Sequence, residues 1–329
     1  MRALFFTLFF ALLAGPIFCQ QLPLQNHYFL NPYVYNPALA GFENHAIAYV
    51  NRRQQFGNDE PSNTTFNFNT PVASSGGFGL TFFNTSIDTA SQSLALASFA
   101  RVIPLAEGQM LRVGFSFGFG FDQIDSKSIS NPGVPGLQSG EERKAHFQSQ
   151  IGVQYQWRAL QLGLILPSMF DPEPIDLENP DSFSGLDLDP FRGVMLTAGY
   201  QYVVNEQLEI QPQLLYRLSK DTVNQFEIAA IAHIQKQFWV GASYRQDYGA
   251  AAMVGVRLQD IATIGYAIEF SGSQDFSPKS TNHEIQVGIR LGPTRPPVKK
   301  GFKIKKEKEE GSKDPRFYYE PKRTGRSQQ

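Results

Sequence analysis

The chain alternates between apolar and polar residues over most of its length, from about residue 46 to about residue 292. The clearest stretch is 111–122, where every second residue from Leu111 to Phe121 is apolar and the others are Arg, Gly, Ser or Asp. Successive side chains of a strand point to opposite faces, so this stretch has one apolar face, whereas a helix would scatter the same residues around its circumference. The stretches 147–157, 262–270 and 285–291 alternate in the same way.

This alternation predicts fourteen strands, most of them about ten residues long, which is the length that a tilted strand needs to cross a bilayer. The predicted strands are at about 46–56, 63–72, 76–88, 91–104, 109–125, 144–157, 160–169, 191–203, 207–218, 224–235, 237–246, 249–258, 261–271 and 284–292.

The connections between these strands alternate between short and long. The short turns include Arg158–Ala159, Asn205–Glu206, Lys236 and Gln259–Asp260, and the long loops are 126–143, 170–190 and 272–283. The strand order puts the short turns at one end and the long loops at the other, which is typical of transmembrane barrels with short periplasmic turns. Because the number of strands is even, we expect both termini in the periplasm.

The polar face of the strands carries isolated charges of both signs: Arg112, Arg217, Arg245, Arg257, Arg290, Glu209, Glu227, Glu269 and Glu284. Opposite charges can pair in a narrow polar lumen, and closure of the sheet removes the unpaired edges that so many strands would expose. The predicted fold class is therefore all-β, a transmembrane antiparallel up-and-down β-barrel of about fourteen strands. A soluble or secreted β-protein is the alternative.

The two faces make specific predictions about single side chains. Phe115, Phe117 and Phe119 should point to lipid, whereas Ser116 and Gly118 should point to the lumen. An arginine at Phe117 should then destabilise the barrel far more than an arginine at Ser116.

The two tryptophans are expected at the periplasmic rim, where aromatic side chains form belts. Trp157 shares the apolar face of its strand, whereas Trp239 does not match the apolar face of its own, so its lipid contact is doubtful.

The one long apolar run lies at the N-terminus, where an arginine precedes the apolar stretch 4–13. The run is too short to span a bilayer, which takes about 20 residues, and it has the features of a secretory signal peptide, predicted as residues 1–19. Cys19 raises the alternative of a lipoprotein, but Phe18 stands where such sites usually have a small residue. We expect cleavage after Cys19 or Gln20, which leaves a mature chain without cysteine.

Two segments without alternation flank the predicted barrel, 46–292. Residues 20–45 contain Asn31–Pro32 and Asn36–Pro37, pairs that favour turns, and are predicted to be an irregular segment at the periplasmic mouth. Residues 293–329 are rich in charge and are predicted to be a flexible basic periplasmic tail, either simply solvated or docking a partner. The candidate docking residues are Lys299, Lys300, Lys303, Lys305, Lys306, Phe317, Tyr318 and Tyr319.

Composition and motifs point away from catalysis and nucleic acid. The formal net charge is -1, which gives no reason to expect nucleic-acid binding. The five histidines form no H-x-H or H-E-x-x-H pair, and the acidic loop 170–190 lacks the ligand spacing of an EF-hand. The sequence therefore predicts no enzyme, no catalytic or metal-binding residue and no cofactor.

A short motif stands between the apolar run and the first predicted strand: Asn36, Pro37, Ala38, Ala40 and Gly41, in the order Asn-Pro-Ala-x-Ala-Gly. A glutamine-rich start at Gln20–Gln21 precedes it, and Arg52–Arg53–Gln54 follow. These features resemble the PorP/SprF family, outer-membrane proteins of the type IX secretion system, and the resemblance covers nearly the whole mature chain. The family has no established catalytic residues, so the resemblance assigns none.

The resemblance implies a bacterial outer-membrane protein that contacts outer-membrane lipid and supports protein export, surface attachment of a large secreted adhesin, or gliding motility. It implies as partners other type IX secretion components, among them the periplasmic ring and peptidoglycan-linked proteins, and a secreted client. The alternatives are a passive porin or hydrophobic-solute transport barrel, and a secreted adhesin or lectin-like β-protein.

Overall fold

The computed structural model of the 329-residue protein describes most of the chain between Leu24 and Gly292. The described ranges are 24–55, 62–72, 75–87, 90–125, 141–171, 175–176, 187–188, 193–219, 224–246, 248–259, 261–271 and 281–292. Within these ranges, no helix has the length and apolar character needed to cross a membrane.

Fourteen antiparallel strands form one continuous sheet. They are β1 (Ala46–Gln55), β2 (Ser62–Val72), β3 (Gly76–Ile87), β4 (Ala90–Ala106), β5 (Gln109–Asp125), β6 (Glu141–Trp157), β7 (Leu160–Leu166), β8 (Gly193–Tyr200), β9 (Leu208–Ser219), β10 (Gln225–Ile234), β11 (Phe238–Arg245), β12 (Gly249–Leu258), β13 (Ala262–Ser271) and β14 (Thr281–Leu291). Four two-residue strands accompany them, at Phe170–Asp171, Ile175–Asp176, Asp187–Leu188 and Tyr202–Val203.

Pairing of the first and last strands closes the sheet into a barrel. β1 runs antiparallel to β14, from Ala46 opposite Leu291 to Gln55 opposite Asn282. Every long strand therefore has two neighbours, and the backbone N–H and C=O groups of the wall bond to one another. Only such closure lets a sheet satisfy its backbone groups in hydrocarbon.

The predicted fold class is confirmed, including the number of long strands and their antiparallel order. Several bounds differ from the prediction by a few residues, as in β7, which ends at Leu166, and β14, which begins at Thr281. β6 begins at Glu141, three residues earlier than expected, because its first residues continue the ladder with β5. The strand predicted at 191–203 is interrupted at Gln201, whose backbone N–H donates to Ala159 O in the neighbouring turn.

As the sequence predicts, the tight turns lie at one end of the barrel, which is also where β1 begins and β14 ends. Several of them use the left-handed backbone region, as at Arg158 (φ 52°), Gln235 (φ 52°) and Lys236 (φ 59°). Positive φ at the centre of a short hairpin gives a turn whose twist matches that of the strands. The sequence-predicted loops 126–143, 170–190 and 272–283 lie mostly outside the described residues.

The outer surface of the barrel is apolar, as the alternation of the strands predicts. Phe115, Phe117 and Phe119 are exposed by 51%, 43% and 53%, whereas Ser116 between them is exposed by only 2%. Trp157 is also on the outer surface, at the end of β6. Trp239, whose contact with lipid the sequence left doubtful, is buried inside the barrel and therefore takes no part in an outer aromatic belt.

Substitution of Phe117 tests the lipid-facing surface. A Phe117→Arg variant places a charge near the middle of the membrane-spanning strand, and we expect a loss of about 2–4 kcal/mol in the free energy of unfolding. Urea unfolding of the barrel in lipid vesicles measures the loss. Phe117→Leu is the matched control, because it keeps the position apolar.

The comparison with Ser116→Arg, which the sequence suggested, is not a suitable control. Ser116 is buried and its Oγ lies 2.7 Å from Ser98 Oγ, so an arginine there has no free space. Equal stability of the Phe117→Arg and Phe117→Leu variants would contradict the assignment of this face to lipid.

Candidate functional site

Residues 24–42 of the N-terminal segment lie inside the barrel. Every residue from Leu24 to Ala40 except Pro32 is buried. Leu24 O accepts a hydrogen bond from Arg53, near the end of β1, and the ring of Phe42 lies under the guanidinium of Arg112, near the start of β5. The segment, called the lumenal segment below, therefore extends along the barrel axis and leaves it where β1 begins.

The lumenal segment is irregular but locally well defined. It contains two 3-10 turns, Pro32–Val34 and Pro37–Leu39, each with a proline at its first position. A proline suits this position because the first N–H of a turn has no partner within it. The side chain of Asn36 caps the second turn by accepting a hydrogen bond from Ala38 N at 3.0 Å. The sequence-predicted irregular segment thus owes its shape to its two Asn-Pro pairs.

Polar side chains of the wall bind the lumenal segment from several sides. Glu284 of β14 accepts hydrogen bonds from the backbone N–H groups of Asn26 (2.8 Å) and His27 (3.0 Å). On the opposite side, Asn36 Nδ2 donates to Gln154 Oε1 of β6 at 3.0 Å. Tyr33 OH donates to Ser98 Oγ of β4 at 2.9 Å.

The same pattern continues on the first two strands. Asn31 Nδ2 donates to Asn67 Oδ1 of β2 at 2.8 Å, and Tyr49 OH of β1 donates to Leu30 O at 2.9 Å. The lumenal segment is thus held by both backbone and side-chain groups.

Glycines of the wall leave the space that the lumenal segment occupies. A Cβ atom at Gly77, Gly79, Gly114, Gly152 or Gly265 would lie 1.8–2.7 Å from an atom of the segment. Distances under 3.0 Å are shorter than real Cβ contacts, so a larger residue at these positions would displace the segment. The absence of these five side chains lets the segment approach the backbone of β3, β5, β6 and β13.

A buried network of ion pairs lies beside the first residues of the lumenal segment. Arg245 pairs with Glu227 at 2.8 Å and with Glu269 at 3.2 Å, and Glu269 also pairs with Arg53 at 2.6 Å. The network joins β1, β10, β11 and β13 across the lumen. A buried charge that loses its partner is costly, whereas a fully paired set holds one geometry.

Apolar side chains of the lumenal segment fill the spaces between these polar contacts. One cluster joins Leu24, Tyr28, Val34 and Tyr35 to Ile165, Met195 and Leu215. A second joins Phe29 and Leu30 to Ala229, Ile231, Trp239, Met253 and Ala267. Phe29 and Trp239 meet edge to face with ring centroids 5.0 Å apart, a favoured aromatic geometry.

The structure gives each residue of the Asn-Pro-Ala-x-Ala-Gly motif a position in the lumen. Asn36 caps a turn and bonds to β6, Pro37 packs against Gly114, and Ala38 is fully buried. Ala40 packs against Gly77. Gly41 has φ +65°, and a Cβ atom there would lie 2.7 Å from Thr70 O, so both backbone and space require glycine.

The predicted lumenal charges differ in how deeply the structure buries them. Arg112, Arg217, Arg245, Glu227, Glu269 and Glu284 are buried on the lumenal side, whereas Arg257, Arg290 and Glu209 are only partly buried. The candidate docking residues Lys299, Lys300, Lys303, Lys305, Lys306, Phe317, Tyr318 and Tyr319 lie outside the described residues.

Sequence reasoning missed Arg53 and Asn51 as members of the lumenal site. Arg53 pairs with Glu269, and Asn51 Nδ2 donates to Glu284 Oε1 at 2.9 Å. Their period-2 spacing with Tyr49 was a signal that could have found them, since all three share one face of β1. The sequence placed this segment at the periplasmic mouth, whereas its described residues 24–42 extend through the lumen, a location for which the sequence had no periodic signal.

Three of the charged groups of the lumen contact the segment directly: Glu284, Arg53 and Arg245. Among the described residues, no group of three or more His, Cys, Asp or Glu side chains has an arrangement that could hold a metal ion. His27 Nδ1 lies 2.7 Å from Glu284 Oε1, which also accepts a hydrogen bond from Asn51 Nδ2.

A closed antiparallel barrel with an apolar outer surface defines a transmembrane β-barrel protein of the outer-membrane type. The chain belongs to the PorP/SprF family of type IX secretion system membrane proteins, whose family model matches residues 17–289. It is therefore an outer-membrane component of that system, which implies association with other secretion components. No curated protein has a significant match to the sequence.

Several solved outer-membrane barrels are similar in fold at low identity. The CymD monoaromatic hydrocarbon channel matches at 10% identity with a TM-score of 0.49, over 79% of this chain and 91% of that one. A FadL homologue of Pseudomonas aeruginosa matches at 12% identity with a TM-score of 0.48, over 78% and 92%. Omp33 of Acinetobacter baumannii matches at 8% identity with a TM-score of 0.45, over 76% and 100%.

Removal of Arg245 tests the ion-pair network. An Arg245→Met variant leaves Glu227 and Glu269 without their shared guanidinium, and breaking such a buried pair costs about 3–5 kcal/mol. We expect that loss in the free energy of unfolding, measured by urea titration in detergent micelles. Arg52→Met is the matched control, because Arg52 is exposed and its nearest partner, Thr64, lies on the outside. Similar stability of the two variants would show that the network does not hold the wall together.

Proposed function

We propose that this protein supports the export, or the attachment at the cell surface, of secreted proteins such as a large adhesin. The observation that carries this proposal is membership of the PorP/SprF family over nearly the whole barrel, residues 17–289. The matched range includes both the lumenal segment and the strands that bind it. The role fits a protein fixed in the outer membrane at the place where a client leaves the cell.

A passive porin or a hydrophobic-solute transport barrel is the competing function. Such a barrel needs a path for solute through its lumen. Here the lumen contains residues 24–42, packed against the wall by hydrogen bonds and apolar clusters. These contacts support an accessory role in secretion over passive transport.

We propose the periplasmic ring and peptidoglycan-linked proteins of the system as partners on one side of the membrane. The tail 293–329 follows Gly292, which lies at the same end of the barrel as Ala46 and the tight turns. Its lysine cluster supplies charge, and Phe317, Tyr318 and Tyr319 supply aromatic side chains of the kind that dominate binding interfaces.

Deletion of the gene tests the proposed function. We expect the client to disappear from the cell surface and the culture medium and to return when the full-length chain is supplied on a plasmid. Western blots of fractionated cells measure both. Unchanged export without the gene would contradict the proposal.

Deletion of residues 296–329 tests the tail. We expect the barrel to stay folded in the outer membrane, because no strand is lost, while surface client falls. Deletion of 320–329 is the control, because it keeps the lysine cluster and the aromatic triplet. Normal export by the longer deletion would show that the tail is a passive solvated end.

A further inference from the structure

We infer that the barrel lumen is a peptide-binding site, which the chain fills with its own residues 24–42, and that this peptide seals the barrel against ions and solutes. The inference does not depend on the role in secretion. Its ligand is a peptide of defined chemistry, irregular in conformation, rich in asparagine and aromatic residues, and turned by two Asn-Pro pairs.

The wall recognises the main chain of the segment. The backbone N–H groups of Asn26 and His27 donate to Glu284, and Gly41 N donates to Asn69 Oδ1 at 3.1 Å. In the other direction, Leu24 O and Leu30 O accept from side chains of β1. A buried backbone group left without a partner is costly, so these side chains are placed where a peptide main chain requires them.

The wall also has side-chain subsites around its whole circumference. Hydrogen bonds, a cation–π contact or a shared hydrophobic cluster link the lumenal segment to residues of all fourteen strands. The five wall glycines shape the surface to this one ligand, since a Cβ atom at any of them would overlap it.

The strands do not need the segment to complete their own sheet. Within the described residues, the backbone–backbone hydrogen bonds of the segment are local, as from Leu30 N to His27 O and from Leu39 N to Asn36 O, and each of the fourteen wall strands pairs with its neighbours in the wall. The segment is joined covalently to the wall only through the short stretch that leads into β1. Barrel and segment therefore relate as a receptor and a tethered ligand.

Cutting the tether in the folded protein separates binding from covalent attachment. A protease site in place of residues 43–45, which include the exposed Asn44, allows cleavage of the purified barrel in detergent. We expect the cut peptide to elute with the barrel in size-exclusion chromatography, and we expect no ion current in planar bilayers before or after cleavage. A current in the uncut protein, or release of the peptide on cleavage alone, would overturn the inference.

Two glycine substitutions in the cut protein test the binding surface. Gly114→Leu would place side-chain atoms on Pro37, and Gly152→Leu would place them on Asn36. We expect both variants to lose the peptide and to show stepwise ion current. Gly199→Leu is the matched control, because Gly199 also faces the lumen but a Cβ atom there meets only Gln213 and Pro212, at 3.8–4.0 Å. Retention of the peptide by the Gly114 and Gly152 variants would contradict the proposed fit.

Addition of peptide in trans keeps the test decisive if the glycine variants fail to fold. The peptide is washed from the cut wild-type barrel with mild urea, and a synthetic peptide of residues 20–42 is then added. We expect the current to close with the native peptide and to stay open with a scrambled one. A peptide with Asn36→Leu should need at least a roughly tenfold higher concentration for the same closure, because it loses both the buried hydrogen bond to Gln154 and the cap on Ala38 N. Equal closure by the native and scrambled peptides would refute specific binding.

Discussion

The structure depends on one constraint: a polar group inside a closed barrel must find its partner within the protein. The wall alone does not meet this constraint, because its lumenal face carries carboxylates, guanidinium groups and amides. The lumenal segment alone does not meet it either, because it has almost no regular secondary structure. Glu284 shows how each completes the other, since its carboxylate receives two backbone N–H groups of the segment and the side chain of Asn51. The barrel interior is therefore a shared polar core.

The wall of the barrel could be predicted from the sequence because its physics is local and periodic. Strand residues alternate between lipid and lumen, so the row of phenylalanines in β5 revealed the outer face and the number of strands could be counted. The same parity placed Arg245, Glu227 and Glu269 on the lumenal side, where they pair. The bounds shifted by a few residues where a ladder extends beyond the apolar stretch, as in β6.

The location of the N-terminal segment could not be predicted, because an irregular segment has no period that reveals its environment. Asn-Pro pairs predict turns but do not distinguish a turn at the rim from a turn inside a barrel. The glycines of β5 and β6 carried the missing information, since Gly114 and Gly152 leave room for Pro37 and Asn36. From the sequence alone these glycines were only small residues on a polar face. Trp239 is a similar case, because its partners Phe29 and His27 come from a distant part of the chain.

The glycine-lined wall has a consequence for how the sequence can evolve. A residue of the lumenal segment can grow or change polarity only if the wall position that faces it changes in step, as with Tyr33 and Gly79 or Asn36 and Gln154. These paired positions lie far apart along the chain. Homologous sequences should therefore show correlated substitutions between this short stretch and scattered lumenal positions of many strands, while the lipid-facing positions drift independently among apolar residues.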